Sequence, residues 1–241
     1  MEVVLSIAGS DPSGGAGIQQ DLKVITALGC HGATVITALT SQNTLGVHAS
    51  MPVPREVVAS QLQAVLSDLH PAAIKIGMIP NQAVAEAIVE ALRDVTVPVV
   101  YDPVMISTSG FALMQPEALG YIVGQLVPRC TLVTPNLPEA EYLKDCTEVA
   151  KLVKGGHADA AMMTDRLIMP DGTTYDYTTE KIETPNLHGT GCTLSSAIAA
   201  HLALGATLPE AVGSAKTFIT EAIRRSASIR IGHGNGPLQM P

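Results

Sequence analysis

The feature that most constrains this chain is a set of short apolar runs without the in–out alternation of a half-exposed strand. Residues 3–8, 33–40, 73–76, 98–101, 132–134 and 152–153 are such runs, and a strand reads this way when helices cover both of its faces. Amphipathic windows fall between them, predicting helices over 17–28, 54–69, 82–93, 116–127, 138–144, 193–203 and 209–225. Strand and helix in regular succession predict an α/β fold around a mostly parallel sheet. Residues 161–183 differ, because β-branched and Tyr residues flank Pro170-Asp171-Gly172, which signals a hairpin. No repeat or linker divides the chain, so 1–241 reads as a single domain, with the Gly-rich 229–241 as a surface strand or tail.

Composition removes several classes of function. Apolar residues make up 46% and charged ones 15%, which excludes intrinsic disorder. A net charge of −8 argues against a nucleic-acid face, and 3% aromatics without Trp leaves almost nothing for bases to stack on. No apolar run approaches the roughly 18 residues of a membrane span. Nor does a basic segment precede the first apolar run, so a cytoplasmic protein is expected. Cys30, Cys130, Cys146 and Cys192 lack zinc-like spacing and are expected as free thiols.

In open α/β sheets ligands bind beyond the C-terminal strand ends, and there the polar and glycine residues of this chain collect. Residues 8–17 follow the first strand, 41–44 the second, and Gly77-Met78, Asp102–Met105, Pro135-Asn136 and Lys154–His157 the later ones. His188-Gly189-Thr190-Gly191-Cys192-Thr193 opens a helix, and free amides at a helix start form an anion hole suited to a transferring phosphoryl group. No Walker loop occurs, and residues 9–17 do not space their glycines as a dinucleotide fingerprint, which excludes a nicotinamide oxidoreductase.

Each candidate has a plainer reading. Cys192 at a helix start is expected to have a lowered pKa and to act as a base; a buried Cys otherwise fills space. Asp102 suits a metal-bound phosphate, or a turn cap before Pro103. Glu139 suits the same network, or the dipole of its own helix. Lys154 can meet phosphate or sit in solvent, and Gln42 can read a heterocycle edge or end a strand.

The segments AGSDPSGGAGIQQD (8–21), ITALTSQNT (36–44), KIGM (75–78), DPVM (102–105), TPNLPEA (134–140), KGGH (154–157) and HGTGCTLSSAIAA (188–200) occur in order along nearly the whole chain. Together they resemble the hydroxymethylpyrimidine/phosphomethylpyrimidine kinases of thiamine biosynthesis, in the ribokinase superfamily. The resemblance implies a three-layer ribokinase-like fold and ATP-dependent phosphorylation of 4-amino-5-hydroxymethyl-2-methylpyrimidine and of its monophosphate. It implies Cys192 as base and the Gly189, Thr190, Gly191 and Cys192 amides as anion hole. Gln42, Asp21, Gly9, Ala16 and Met78 would line the pyrimidine pocket. Asn136, Glu139, Lys154 and Lys216 would meet ATP, with Asp102 and Glu139 on Mg2+, in a homodimer that binds neither nucleic acid nor membrane. Two positions depart from the pattern. Gln20 replaces a usual Ala beside the expected pocket, and Asn136 and Lys154 stand only 18 positions apart, room for one crossover helix. Alternatives are a pyridoxal or pyridoxine kinase, which Gln42 and Met78 disfavour, and a non-catalytic pyrimidine sensor, which Cys192 disfavours.

Overall fold

A computed structural model describes residues 1–107, 109–158 and 161–241. β1 (Val3–Ser10) leads to α1 (Gly17–Ala27), and β2 (His31–Asn43) turns back as β3 (Gly46–Pro52). Then come α2 (Arg55–Leu66), β4 (Ala73–Ile76), α3 (Gln82–Ala91) and β5 (Val99–Tyr101). α4 (Ala118–Tyr121) continues as a π turn (Ile122–Leu126) and a 3-10 turn (Val127–Arg129) before β6 (Leu132–Val133). α5 (Leu137–Tyr142), β7 (Ala150–Ala158), β8 (Met162–Ile168), β9 (Thr174–Glu180), α6 (Thr190–Ala203) and α7 (Leu208–Ser226) follow.

The sheet runs β3-β2-β1-β4-β5-β6-β7-β8-β9, parallel from β2 to β7 and antiparallel at both margins. Successive strand residues alternate between two apolar cores. Leu5, Ile7, Ile74, Ile76, Val99 and Tyr101 pack with α2 and α3, while Val4, Ala73 and Val100 pack with α1, α6 and α7. Burial on both faces is why these strands read as continuous apolar runs. The architecture is the three-layer α/β sandwich expected.

Two elements differ from expectation, and two others take one of the forms expected. β3 was not anticipated, because Gly46–Pro52 mixes small, polar and apolar residues and shows no apolar run. The window 116–127 forms one α turn and then π and 3-10 turns, ending where Pro128 removes an amide donor. The interval between Asn136 and Lys154 holds the six-residue α5 alone, yet β6 and β7 still pair in parallel. The tail forms no strand among the described residues. Leu238 is buried, and the Asn186 side-chain amide donates to the carbonyls of Ser226 and Ile229 at 2.7 Å. Among the described residues no helix is long and apolar enough to cross a membrane.

One polar cluster lies inside this sandwich. Ser6 and Lys75 are register partners on β1 and β4, and both face α1 and α6. Lys75 Nζ donates to both Asp21 oxygens at 2.8 and 2.9 Å, and Asp21 also accepts from Ser6 at 2.5 Å and from Ser196 at 2.8 Å. Lys75 and Asp21 are each 0% exposed. Removing one partner strands a buried charge, so Asp21→Ala should cost about 3–5 kcal/mol in chemical denaturation. Replacing both together by Leu and Met should cost far less.

Candidate active site

The parallel strands end at one rim, and the loops beyond them line an open cleft. Gly9 enters from the end of β1 and Ala16 from the loop after it, Gln42 from the end of β2, and Met78 from beyond β4. Asp102 follows β5, Asn136 and Glu139 come from the start of α5, and Lys154 from β7. Gly189, Thr190, Gly191 and Cys192 close the cleft from the first turn of α6.

The α6 entry presents main-chain amides to the cleft. Gly189 is left-handed (φ 83°), and a Cβ there would run into the Gly15 carbonyl oxygen. Helix α6 begins at Thr190, three residues earlier than the sequence predicts, so the GTGC amides belong to its first turn. Thr193 N–H bonds to Gly189 O at 2.8 Å, and Thr190 N–H reaches Leu187 O at 3.3 Å. The Gly191 and Cys192 amides, both lining the cleft, have no acceptor within their own helix. Asp11 ties this turn to the loop after β1. Its carboxylate accepts from the Ser13 and Ala16 amides and the Ser13 hydroxyl at 2.8 to 2.9 Å, from the Gly15 amide at 3.2 Å, and lies 2.8 Å from His188 Nε2. Burial pushes the Asp11 carboxyl up, but the bonds from His188 and Ser13 outweigh it and hold the pKa below the ordinary value.

Cys192 corrects one expectation. Its thiol pKa is not lowered but pushed up to about 11, because burial outweighs the pull of Lys75 and of the Gly17 amide on the sulfur. By surface area the residue is only partly covered; the surrounding protein rather than direct enclosure sets the shift. Helix-start amides favour a thiolate only where solvent or cations can also serve it.

Opposite Cys192, Asp102 accepts from Lys154 at 2.7 Å and from Thr134 at 2.9 Å. Burial works against its charge, yet Lys154 and Lys75 hold its pKa below the usual value. Its second oxygen would lie 3.0 Å from a Cβ on Gly191, so it faces the anion turn. Asn136 and Glu139 form a reciprocal cap on α5, each side chain bonded to the other's amide at 2.9 Å. The plainer reading of Glu139 therefore also holds, and burial raises its pKa. Among the described residues no three His, Cys, Asp or Glu side chains are placed to hold a metal.

Three assignments are corrected. Asp21 does not line the cleft, because its carboxylate is committed to Lys75 inside the sandwich. Lys216 is committed to Asp165 of β8 at 2.5 Å, and Asp165 also caps the Gly155 amide at 2.8 Å, so Lys216 braces the β7–β8 hairpin instead of the cleft. Gln20 is buried against α6, donating to Thr193 Oγ1 at 2.9 Å, so its bulk stays out of the pocket. Sequence reasoning assigned no role to Asp11, Thr40, Lys75 or His188. Their motifs were visible, but only the fold shows which partners they meet.

An α/β sandwich with an anion hole, a lysine–aspartate pair and a thiol around a strand-end cleft defines a small-molecule kinase. The phosphomethylpyrimidine kinase family model matches residues 11–239, and the chain belongs to that family. It is 46% identical over 255 residues to the hydroxymethylpyrimidine/phosphomethylpyrimidine kinase of Rhizobium meliloti, covering 98% of this chain and 96% of the relative. A crystal structure of phosphomethylpyrimidine kinase from Clostridium difficile 630 superposes with a TM-score of 0.78 at 40% identity, covering 92% of this chain and all of the other. Pyridoxal kinase from Staphylococcus aureus, solved with AMP-PCP and pyridoxal, gives 0.86 at 32% identity, covering 99% and 93%.

Two measurements test the site. Gly189→Ala should abolish turnover, because the left-handed turn and its contact with Gly15 cannot hold a Cβ; retained activity would show the turn is dispensable. Alkylation of Cys192, followed by peptide mass spectrometry, should climb with pH toward a midpoint near 11. A midpoint at or below that of an ordinary thiol would contradict the burial effect.

Proposed function

We propose that the protein transfers the γ-phosphoryl group of ATP to the hydroxymethyl oxygen of 4-amino-5-hydroxymethyl-2-methylpyrimidine, and then phosphorylates that monophosphate. The observation that carries this reading is the gathering of Cys192, the free α6 amides, Asp102 and Lys154 in one cleft, with Asp102 and Lys154 beside Gly191. Phosphoryl transfer needs positioning and charge stabilisation more than covalent chemistry. The Gly191 and Cys192 amides, left free where the Thr190 amide is bonded to Leu187 O, receive the migrating group, and Lys154 offers it a fixed positive charge. Gln42, with Gly9, Ala16 and Met78, holds the heterocycle, while Asn136 and Glu139 shape the phosphate side.

Mg2+ fits this site on the chemistry of its donors: one or two carboxylates plus substrate phosphates are its usual protein-side ligands. Asp102, through the oxygen facing Gly191, and Glu139 would hold it, and when bound it neutralises charge on the nucleotide phosphates. A homodimer and a cytoplasmic location belong to the same reading; light scattering tests the first.

Cys192 takes the acceptor's proton as a thiolate. With the thiol pushed up to about 11, only a small fraction is ionised near neutrality, and that fraction rises tenfold per pH unit. kcat/KM should therefore rise about tenfold per unit from pH 7 to 10; a profile already flat by pH 8 would exclude a base with this pKa. Cys192→Ala should lower kcat by about 100-fold or more while pyrimidine affinity stays within a fewfold. ATP consumption against the pyrimidine, its monophosphate and pyridoxal separates the alternatives. The backbone likeness to pyridoxal kinase makes pyridoxal the necessary control, and turnover of pyridoxal alone would replace the reading.

A further inference from the structure

Resting on that functional reading, we infer that Thr40 and His188 lock the side-chain amide of Gln42 in one orientation, and that this lock makes the pocket select an aminopyrimidine over its oxo counterpart. Gln42 Nε2 is placed 3.1 Å from His188 Nε2 and Gln42 Oε1 3.3 Å from Thr40 Oγ1, and exchanging the two atoms leaves the shape of the amide unchanged. The two ends of an amide are told apart by their partners, not by their shape.

The partners decide. Asp11 is a buried carboxylate already accepting from three amides and a hydroxyl, and an ionised carboxylate only accepts. At 2.8 Å from it, His188 Nε2 must carry a hydrogen and donate, whether the ring is neutral or charged. Nε2 therefore has no lone pair for Gln42, and an amide NH2 at that end would face a donor. At the other end, Thr40 Oγ1 lies 2.9 Å from Ser10 O, and its single hydrogen goes to that nearer acceptor. The hydroxyl is left with lone pairs only, so an amide oxygen there would face an acceptor. With the amide turned so that Oε1 meets His188 and the NH2 meets Thr40, every contact pairs a donor with an acceptor. The chain of bonds then runs from the Gln42 NH2 to Thr40 and on to Ser10 O, while the single His188 Nε2 hydrogen is held by Asp11 at 2.8 Å and shared, as the longer arm of a three-centre bond, with Gln42 Oε1 at 3.1 Å.

The locked amide keeps one free lone pair at its His188 end and one free N–H at its Thr40 end. A 4-aminopyrimidine offers an exocyclic N–H beside a ring-nitrogen lone pair and fits that order. The 4-oxo counterpart offers a carbonyl beside a ring N–H, the reverse order. A free glutamine would answer by rotating; a locked one leaves like groups facing each other, which polar sites reject strongly.

Calorimetric titration of the wild type with 4-amino-5-hydroxymethyl-2-methylpyrimidine and with its 4-oxo analogue should show about a 100-fold preference for the amine. Thr40→Val, which removes one lock, should narrow that ratio about tenfold, and Thr40→Ser should restore it. A ratio unchanged in Thr40→Val, with both ligands weakened alike, overturns the inference. Independently, long-range ¹⁵N–¹H spectra of the ligand-free wild type should show hydrogen on His188 Nε2, and a bare Nε2 overturns it too. If neither pyrimidine binds, the functional reading falls, and the spectrum by itself decides the lock.

Discussion

The structure depends on a charge pair that water does not reach. Lys75 and Asp21, held by Ser6 and Ser196, join β1, β4, α1 and α6 beneath the floor of the cleft. Two charges out of water persist only when each finds partners for all its polar atoms. That demand fixes where α1 and α6 lie against the sheet, and with them the two loops that meet at Cys192. The same ammonium is the largest influence drawing the Cys192 thiol toward ionisation, though burial exceeds it. Structural order and the acidity of the Cys192 thiol thus share one source.

A second polar centre acts at the mouth. Asp11 gathers the amides of its own loop and reaches across to His188, while Gly15 leaves room that a Cβ would take from the His188 ring. The loop after β1 and the turn opening α6 therefore behave as one rigid piece. Gln42 touches that piece through His188, which joins the end of β2 to the turn opening α6. A catalytic geometry of this kind is held by bonds between loops distant in sequence, not by any one motif.

The sequence motifs that end the parallel strands all arrive at the rim, because strand ends in a parallel sheet share one edge whatever the details of packing. Glycine-rich 188–193 was legible as an anion turn for a similarly local reason: the unpaired amides belong to the helix start itself. The misreadings have a common cause. Asp21 and Lys216 look like ligand-binding charges in a string of letters, and both are consumed by partners, 54 residues away for Asp21 and 51 for Lys216. β3 escaped notice because pairing with β2, not an apolar pattern of its own, makes it a strand.

What the chain determined by itself was its layered α/β class, the rim where chemistry gathers, and the family to which its motifs belong, since periodicity and spacing are properties of neighbouring residues. The raised pKa of Cys192 and the commitment of Asp21 and Lys216 were decided only in three dimensions. Desolvation and hydrogen-bond partnership depend on which distant side chains share a volume, and no local pattern records that.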